Sequence, residues 1–479
     1  MATQEQSHSS GGSGSDDASL SKVLGRVDVL ALAFGAMIGF GWIVLTGDFL
    51  DGAGTLGAAT GILIGAVVMG FIALTYAELV TAMPHTGGEH HYVLRALGSR
   101  AAFATSWTLL LGYLVVVAFE AVAFPTTVGY LTDVVETGPS WTVASYEVTL
   151  SWALMGIAAA ALMTWINVRG VRPAAMLQIS AVVFLLLVGI ALLTGSFVGG
   201  STSQMSPLFV GGVSGLIGVL VATPFLFVGF DVIPQSAEEI NLPLRKLGTL
   251  LIVSVALAAF WYMMIMLTVG SSLPPADLVD SELAVAAGMT ALWDSQLMGN
   301  LLVLGGIAGI LTSWNGFLIG GSRLAFAMSR SGMLPRWFGR LHPVHRTPAN
   351  ALWFLGGLSM LAPLFGRQTL IWLVDAGGLA LVISYGMVAL SFIVLRQREP
   401  GMERPFRTPG GQVTGVIAVV LALGLAVLYL PGLPAALIWP AEWIIVGGWL
   451  VAGLLLGARV PEVGYGPEAH DRLVNRTKR

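Results

Sequence analysis

Glu120 is the residue from which the chemistry of this chain is best approached. It stands in Val117-Ala118-Phe119-Glu120-Ala121-Val122, near the middle of an apolar run, with Pro125 shortly after it. An ionised carboxylate in such surroundings is costly, so it faces a cavity, pairs with a donor, or carries a proton. Two chemistries suit it, counter-charge to an amine and reversible protonation, with a structural hydrogen bond to a neighbouring helix as the alternative. Other acids in or beside apolar runs are Glu78, Asp231, Asp375 and Glu442. Glu78 fits a gate or a contact with an inner-loop arginine, Asp231 a path-lining residue or a helix cap, Asp375 a helix end or gate, and Glu442 the membrane interface. His85, His90 and His91 stand among Gly and Pro, where a solvated loop is a better reading than a metal cluster. The chain has no cysteine, which excludes thiolate chemistry, disulfides and Cys-ligated metal. No nucleotide-binding loop or zinc-hydrolase pattern is present, so no enzyme chemistry, metal or cofactor is expected.

Two interrupted apolar runs must position these groups. Gly35-Ala36-Met37-Ile38-Gly39-Phe40-Gly41-Trp42 lies inside the run 29–49, and each glycine weakens a helix by roughly 1 kcal/mol relative to alanine. In a bilayer, unwound backbone is tolerated only where it lines a cavity or is buried in protein, so the stretch predicts a helix break at a binding site. A close helix–helix contact through small residues is the alternative. The sixth run, Val221-Ala222-Thr223-Pro224-Phe225-Leu226-Phe227-Val228-Gly229-Phe230-Asp231, predicts a second break, since Pro224 deletes a backbone donor and Gly229 loosens the helix after it. Interrupted first and sixth helices are what two five-helix inverted repeats produce, with the breaks meeting near the midplane. Phe40, Phe225 and Phe230 flank the breaks and are expected to wall the pocket, where cation–π contact suits an amine.

The rest of the composition reads as membrane protein. Of 479 residues, 56% are hydrophobic and 10% charged, where soluble domains carry about 25% charged residues. Twelve apolar runs are long enough for a hydrocarbon core of about 30 Å: roughly 29–49, 56–83, 101–131, 147–167, 173–195, 213–233, 248–270, 298–325, 350–366, 370–395, 413–431 and 439–458. Of 23 basic residues only Arg367 falls on the face that carries Asp48, Asp51, Asp133, Glu136, Asp277, Asp280, Glu282 and Asp294. The positive-inside rule then places both termini in the cytoplasm, with the chain in the plasma (inner) membrane. The expected fold class is an all-α membrane protein with twelve transmembrane helices, a five-plus-five inverted repeat with helices one and six broken, and two C-terminal helices. Its divisions are a disordered tail (1–21) without the apolar core of a cleavable signal peptide, a first repeat (22–196), a second repeat (197–398), two further helices (399–459) and a C-terminal tail (460–479).

Six motifs in this order resemble the amino acid, polyamine and organocation (APC) superfamily, whose architecture is the LeuT-type five-plus-five fold. They are Gly39-Phe40-Gly41; Tyr76-Ala77-Glu78-Leu79 with Ala82-Met83-Pro84 and Gly87-Gly88-Glu89; Ile166-Asn167-Val168-Arg169-Gly170-Val171-Arg172; Gly229-Phe230-Asp231 with Ala237-Glu238-Glu239 and Pro243-Leu244-Arg245-Lys246; Ser322-Arg323 with Ala327 to Pro335; and Arg404-Pro405-Phe406-Arg407. The resemblance implies that backbone groups freed at Ile38, Gly39, Phe40 and Gly41, and from Pro224 to Gly229, bind substrate. A half-helix N-terminus offers unpaired N–H groups to a carboxylate. Phe40 departs from the Ser or Ala that many members carry between the glycines, and it cannot donate to a carboxylate. In sodium-coupled proteins of this fold a Thr-Ser pair joins first-helix carbonyls around Na⁺; here that set is Gly35, Ile38, Gly309, Thr312 and Ser313. Self-bonding of Thr312 and Ser313 to their own helix is the alternative. The resulting expectation is a secondary transporter of small amino acids or related amines, coupled to Na⁺ or H⁺ or exchanging. Glu120 as counter-charge would make it an organic-amine permease for ethanolamine or a polyamine. Partners are the small-molecule substrate and the bilayer, with no nucleic acid, in a monomer or homo-oligomer.

Overall fold

The computed structural model describes residues 20, 22–39, 41–132, 137–144, 146–281 and 283–474. Phe40, Asp133, Glu136, Glu282, all but residue 20 of the tail 1–21, and the last residues of the C-terminal tail lie outside them. The helices in chain order are α1 (Arg26–Met37), α2 (Gly41–Ala53), α3 (Thr55–Ala82), α4 (Glu89–Leu97), α5 (Ser99–Gly129), α6 (Leu150–Val168), α7 (Val171–Val198), α8 (Gly212–Leu226), α9 (Val232–Gln235), α10 (Leu244–Gly270), α11 (Pro275–Val279), α12 (Ala284–Trp293), α13 (Gln296–Arg330), α14 (Ala349–Ser359), α15 (Thr369–Arg398), α16 (Gln412–Val427), α17 (Ala441–Gly457) and α18 (Pro467–Val474). An antiparallel pair, β1 (Ser140–Val143) with β2 (Tyr146–Thr149), precedes α6. That pairing moves the start of the fourth apolar helix from residue 147 to Leu150.

Among the described residues, α3, α5, α6, α7, α10, α13 and α15 are long and apolar enough to cross a membrane, and α1 with α2, bent by 44°, makes an eighth crossing. Four of the remaining expected spans coincide with shorter apolar helices: α8, α14 continued by the 3₁₀ turn Ala362–Phe365, α16, and α17. Two of these are bounded by an identifiable residue. Gly366 turns the chain with φ of 74° after the 3₁₀ segment, and Pro440 precedes α17. A further short apolar helix, α12, lies where the sequence predicts only a loop. The core is built on α13, whose 35 residues reach about 50 Å. It packs on α1, α5, α7, α12 and α14.

The ends of the bundle differ in charge. At one end Arg95 pairs with Glu399, Arg100 with Glu462, Arg323 with Glu239, and Arg396 and Arg404 share Glu78. At the other end Asp48, Asp51, Asp375 and Arg367 line an open cavity of about 700 Å³. Glu78 thus meets the arginines expected of it.

Candidate substrate and coupling site

The first break forms where α1 stops at Met37. Ile38 leaves helical geometry (φ −102°, ψ 63°) although its N–H still donates to the Phe34 carbonyl, and α2 restarts at Gly41. The second break forms lower in the sequence than its proline implies. Pro224 stays inside α8, because the Thr223 hydroxyl donates to the Leu220 carbonyl (2.7 Å), the acceptor a proline at 224 leaves without its helical N–H. Unwinding begins instead at Phe227 and passes through Gly229, whose φ of 131° is closed to side-chain-bearing residues.

The two breaks touch. A Cβ on Gly229 would lie 2.8 Å from the Ala36 carbonyl carbon and the Met37 nitrogen, and one on Gly41 would lie 2.8 Å from Leu226 Cδ2. Tyr262 of α10 joins them, its hydroxyl donating to the Met37 carbonyl at 2.7 Å with the Leu226 carbonyl at 3.2 Å. Carbonyls that unwinding strips of their helical donors are thus satisfied from a third helix.

Glu120 arrives at the same point from α5. A Cβ on Gly39 would come within 2.4 Å of Glu120 Oε1 and 2.8 Å of Ser313 Oγ. Gly39, Gly41, Glu120, Phe225, Tyr262 and Ser313 share a small cavity of about 10 Å³. Phe230 does not line that cavity. It is buried toward the basic end, in edge contact with Tyr76 (5.2 Å between centroids) and tilted against Tyr385 (5.4 Å).

The expected ion-coupling residues also converge. A Cβ on Gly35 would be 3.0 Å from Thr312 Cβ, and one on Gly309 would be 2.8 Å from the Ile38 carbonyl oxygen. Thr312 donates its hydroxyl to the Gly309 carbonyl of its own helix (2.8 Å). A residue the sequence reading missed stands beside them. Gln178 of α7 places its Nε2 where it donates to the Ala31 carbonyl (3.0 Å), 2.4 Å from a Cβ built on Gly35. Its amide orientation is fixed, because its Oε1 accepts from Asn315 (2.8 Å), which in turn accepts from Asn167 (2.9 Å). Tyr262, Gln178, Asn167 and Asn315 share one legible signal, a lone hydrogen-bonding side chain within an apolar run.

Access is asymmetric. The acidic-end cavity descends to Phe119, which meets Phe225 edge-on at 5.2 Å directly over the small central cavity. Below, the basic end is closed by Tyr76, Phe230 and Tyr385, by Asp231 accepting from the Gly229 N–H (2.9 Å) and Tyr113 (2.7 Å), and by the fully buried Arg323–Glu239 pair. Asp231 makes no side-chain capping bond to α9 and instead ties the Gly229 backbone to Tyr113 within the seal. Asp375 lines the open cavity, and Glu442 accepts from the Ile438 N–H at the start of α17.

Two of the three histidines correct the reading of a solvated loop, while His85 stays half-exposed in the link between α3 and α4. His90 and His91 lie in α4 and are buried, because α5, α15 and α18 pack against that helix. His90 contacts Ser106 and Ser331 at 3.0 and 2.8 Å, and His91 Nδ1 lies 3.1 Å from His470 Nε2 of α18. Burial pushes the imidazole of His90 down to about 3 and lowers His91 and His470. Among the described residues no group of three or more His, Cys, Asp or Glu side chains forms a metal site.

Two interrupted helices meeting inside an apolar bundle, reached from one end and sealed at the other, define a polytopic membrane transporter. A family model described as "Amino acid permease" matches residues 24–453. The chain belongs to that family, within the APC superfamily, and is a permease rather than an enzyme. It is 27% identical over 418 residues to a branched-chain amino acid permease of Bacillus subtilis (strain 168), covering 85% of this chain and 88% of the relative. It is 25% identical to a methylthioribose transporter of the same organism, covering 91% and 93%. It is 26% identical to Asc-type amino acid transporter 1 of Mus musculus, covering 82% and 74%.

Proposed function

We propose that this permease carries small amino acids across the plasma membrane by alternating access through twelve spans. Its basic end and both termini face the cytoplasm. The observation that carries the reading is the contact of the two breaks beneath Phe119 and Phe225. The N–H groups of Gly39 and Gly41 lie beneath the entry cavity, where they suit an amino acid's carboxylate, and the Ile38 carbonyl beside them suits its amine. The names of the amino acid permeases among its relatives support this cargo. The methylthioribose transporter, of similar identity, argues that family membership alone leaves the cargo open. Phe40 falls outside the described residues, so its part in the pocket rests on the sequence.

A second reading, an organic-amine permease, is favoured by one specific observation. Glu120 Oε1 sits against Gly39, where an incoming carboxylate would otherwise approach the break. A protein carboxylate in that seat repels an anion and attracts an ammonium. Uptake of labelled leucine, alanine, ethanolamine and putrescine into liposomes containing the purified protein separates the readings. Saturable amino acid uptake supports the first. Uptake of amines alone overturns it.

For the driving ion we favour the proton. The Gln178 amide places a nitrogen donor, not an oxygen, beside Gly35, and the Thr312 hydroxyl is turned to its own helix. Both features suit Na⁺ poorly, since hard cations take oxygen ligands. Replacing sodium with choline is expected to leave uptake unchanged, and a loss of uptake would restore the sodium reading.

A further inference from the structure

Beneath the central cavity, at the sealed basic end, lies a second polar cluster that substrate binding does not use. Glu89, the first residue of α4, is fully buried, and so is Asp231 in the link between α8 and α9. Tyr76 of α3, Tyr113 of α5 and Tyr385 of α15 lie close enough to both acids to feel their charge, and Tyr92 of α4 feels that of Glu89. Among the described residues no Lys or Arg pairs with either acid. The nearby Arg323 is held at 2.7 and 3.2 Å by both oxygens of Glu239. His90, next to Glu89, is kept neutral by burial.

The hydrogen bonds of this cluster leave the Glu89 carboxyl only partly served, with no cation among the described residues to balance it. Gln235 donates its Nε2 to Glu89 Oε2. Glu89 Oε1 and Gln235 Oε1 make no hydrogen bond, and neither do the buried hydroxyls of Tyr76, Tyr92 and Ser236, of which Tyr76 faces the Glu89 carboxyl. A buried acceptor without a donor carries its full desolvation cost. A proton on Glu89 removes a buried charge that no Lys or Arg among the described residues compensates. Burial, and then the charge of Asp231, raise the Glu89 carboxyl well above its ordinary value.

We infer that Glu89, backed by Asp231, is the proton-binding site of this permease, loaded while the basic end is sealed and discharged to the aqueous phase when that end opens. The inference rests on the alternating-access reading. The step is a simple proton transfer. The carboxylic O–H of Glu89 breaks, its proton passes to water at the basic end, and the carboxylate becomes hydrated. With the end closed again the carboxylate is desolvated, and a proton given up by water on the acidic side, where the cavity is open, re-forms the O–H bond. Asp231 links this site to the substrate break, because the Gly229 N–H donates to its Oδ1.

Two measurements on the full chain test this. Infrared spectra of the purified protein at neutral pH are expected to contain a protonated-carboxyl band that is lost in Glu89→Gln and kept in Glu120→Gln. An unchanged spectrum in Glu89→Gln overturns the assignment. Where that variant does not fold, Glu89→Asp takes its place, with a shifted band expected and an unshifted one overturning the proposal. In proteoliposomes, acidifying the outside is expected to stimulate uptake of whichever of leucine, alanine or ethanolamine the wild type carries. Glu89→Gln loses that stimulation yet still exchanges internal for external label. Wild-type uptake indifferent to a pH gradient, or driven by a sodium gradient instead, overturns the coupling role. Failure of every labelled compound to enter sinks the transport reading, while the infrared result still decides the state of Glu89.

Discussion

Tyr262 does with one hydroxyl what the breaks cannot do for themselves. The Met37 and Leu226 carbonyls lie at the ends of α1 and α8, and both face the same phenol oxygen. Tyr262→Phe keeps the ring against Phe227 and removes only the donor. We expect a loss of about 1–3 kcal/mol, the cost of leaving a buried carbonyl unpaired. Thermal unfolding in detergent checks it, and an unshifted midpoint would mean that the breaks do not depend on this link. Gly39 is the companion case. Gly39→Ala would drive a methyl into Glu120 Oε1 and Ser313 Oγ, so we expect uptake to fall at least about tenfold with little loss of folding, since the obstructing atoms are side-chain ends at the pocket rather than packed core. Unimpaired uptake in Gly39→Ala would remove Glu120 from the substrate site. These residues were legible in sequence to different degrees. Glu120 and the glycines stood out because each is unfavourable in an apolar helix unless it has a use. Tyr262 and Gln178 were overlooked because one hydroxyl or amide in a span is commonly satisfied by its own helix, and only the fold shows that these two bond across helices.

The elements that proved hardest to place were those whose conformation depends on a distant partner. Pro224 pointed to a break, yet α8 continues through it because Thr223 next door supplies a donor to Leu220. The break belongs to Gly229, whose backbone is committed to positive φ. Helices α4 and α18 are a longer-range instance: the histidines read as a wet loop because the helix that covers them lies 379 residues away at His470. That contact should respond to pH. Burial lowers both His91 and His470 below the ordinary value of 6.5, so the docked state binds fewer protons than the undocked one. Docking is then fully favourable above that value and weakens as pH falls through it, because undocking allows the imidazoles to charge. Around them, Glu238 lies 3.6 Å from His85, Asp471 lies 3.4 Å from His470, and Arg95 adds positive charge that opposes protonation. Backbone hydrogen exchange across Pro467–Val474 is expected to accelerate between neutral and mildly acidic pH, beyond the intrinsic change. Constant protection would show that the histidine contact does not hold α18.

At the scale of the whole molecule, the order of helices and the segregation of charge were readable because membrane insertion acts on apolar length and basic loops directly. Which end stands open was not, because it depends on side chains from separate helices closing on one another. The structure has its acidic end open to Phe119 and its basic end closed. The Arg323–Glu239 pair is the most deeply buried ion pair among the described residues of that closure, with both side chains essentially without exposure. Removing one partner of such a pair strands a buried charge, at a cost of about 3–5 kcal/mol that falls on the closed state alone. If the closed basic end is favoured by less than that, Glu239→Gln inverts the equilibrium and opens it. The absence of native cysteine makes this easy to read with a single introduced thiol. Ala222→Cys, on the wall of the open cavity, should react with a membrane-impermeant maleimide in the otherwise wild-type protein. Ser236→Cys, buried beneath the seal, should resist it. Adding Glu239→Gln should expose the thiol at position 236 and protect the one at 222. Replacing both Glu239 and Arg323 by leucine should return the pattern toward wild type, since neither charge is then stranded. Reactivity at both positions that ignores Glu239→Gln would mean that the buried pair only holds the fold together and takes no part in choosing which end is open.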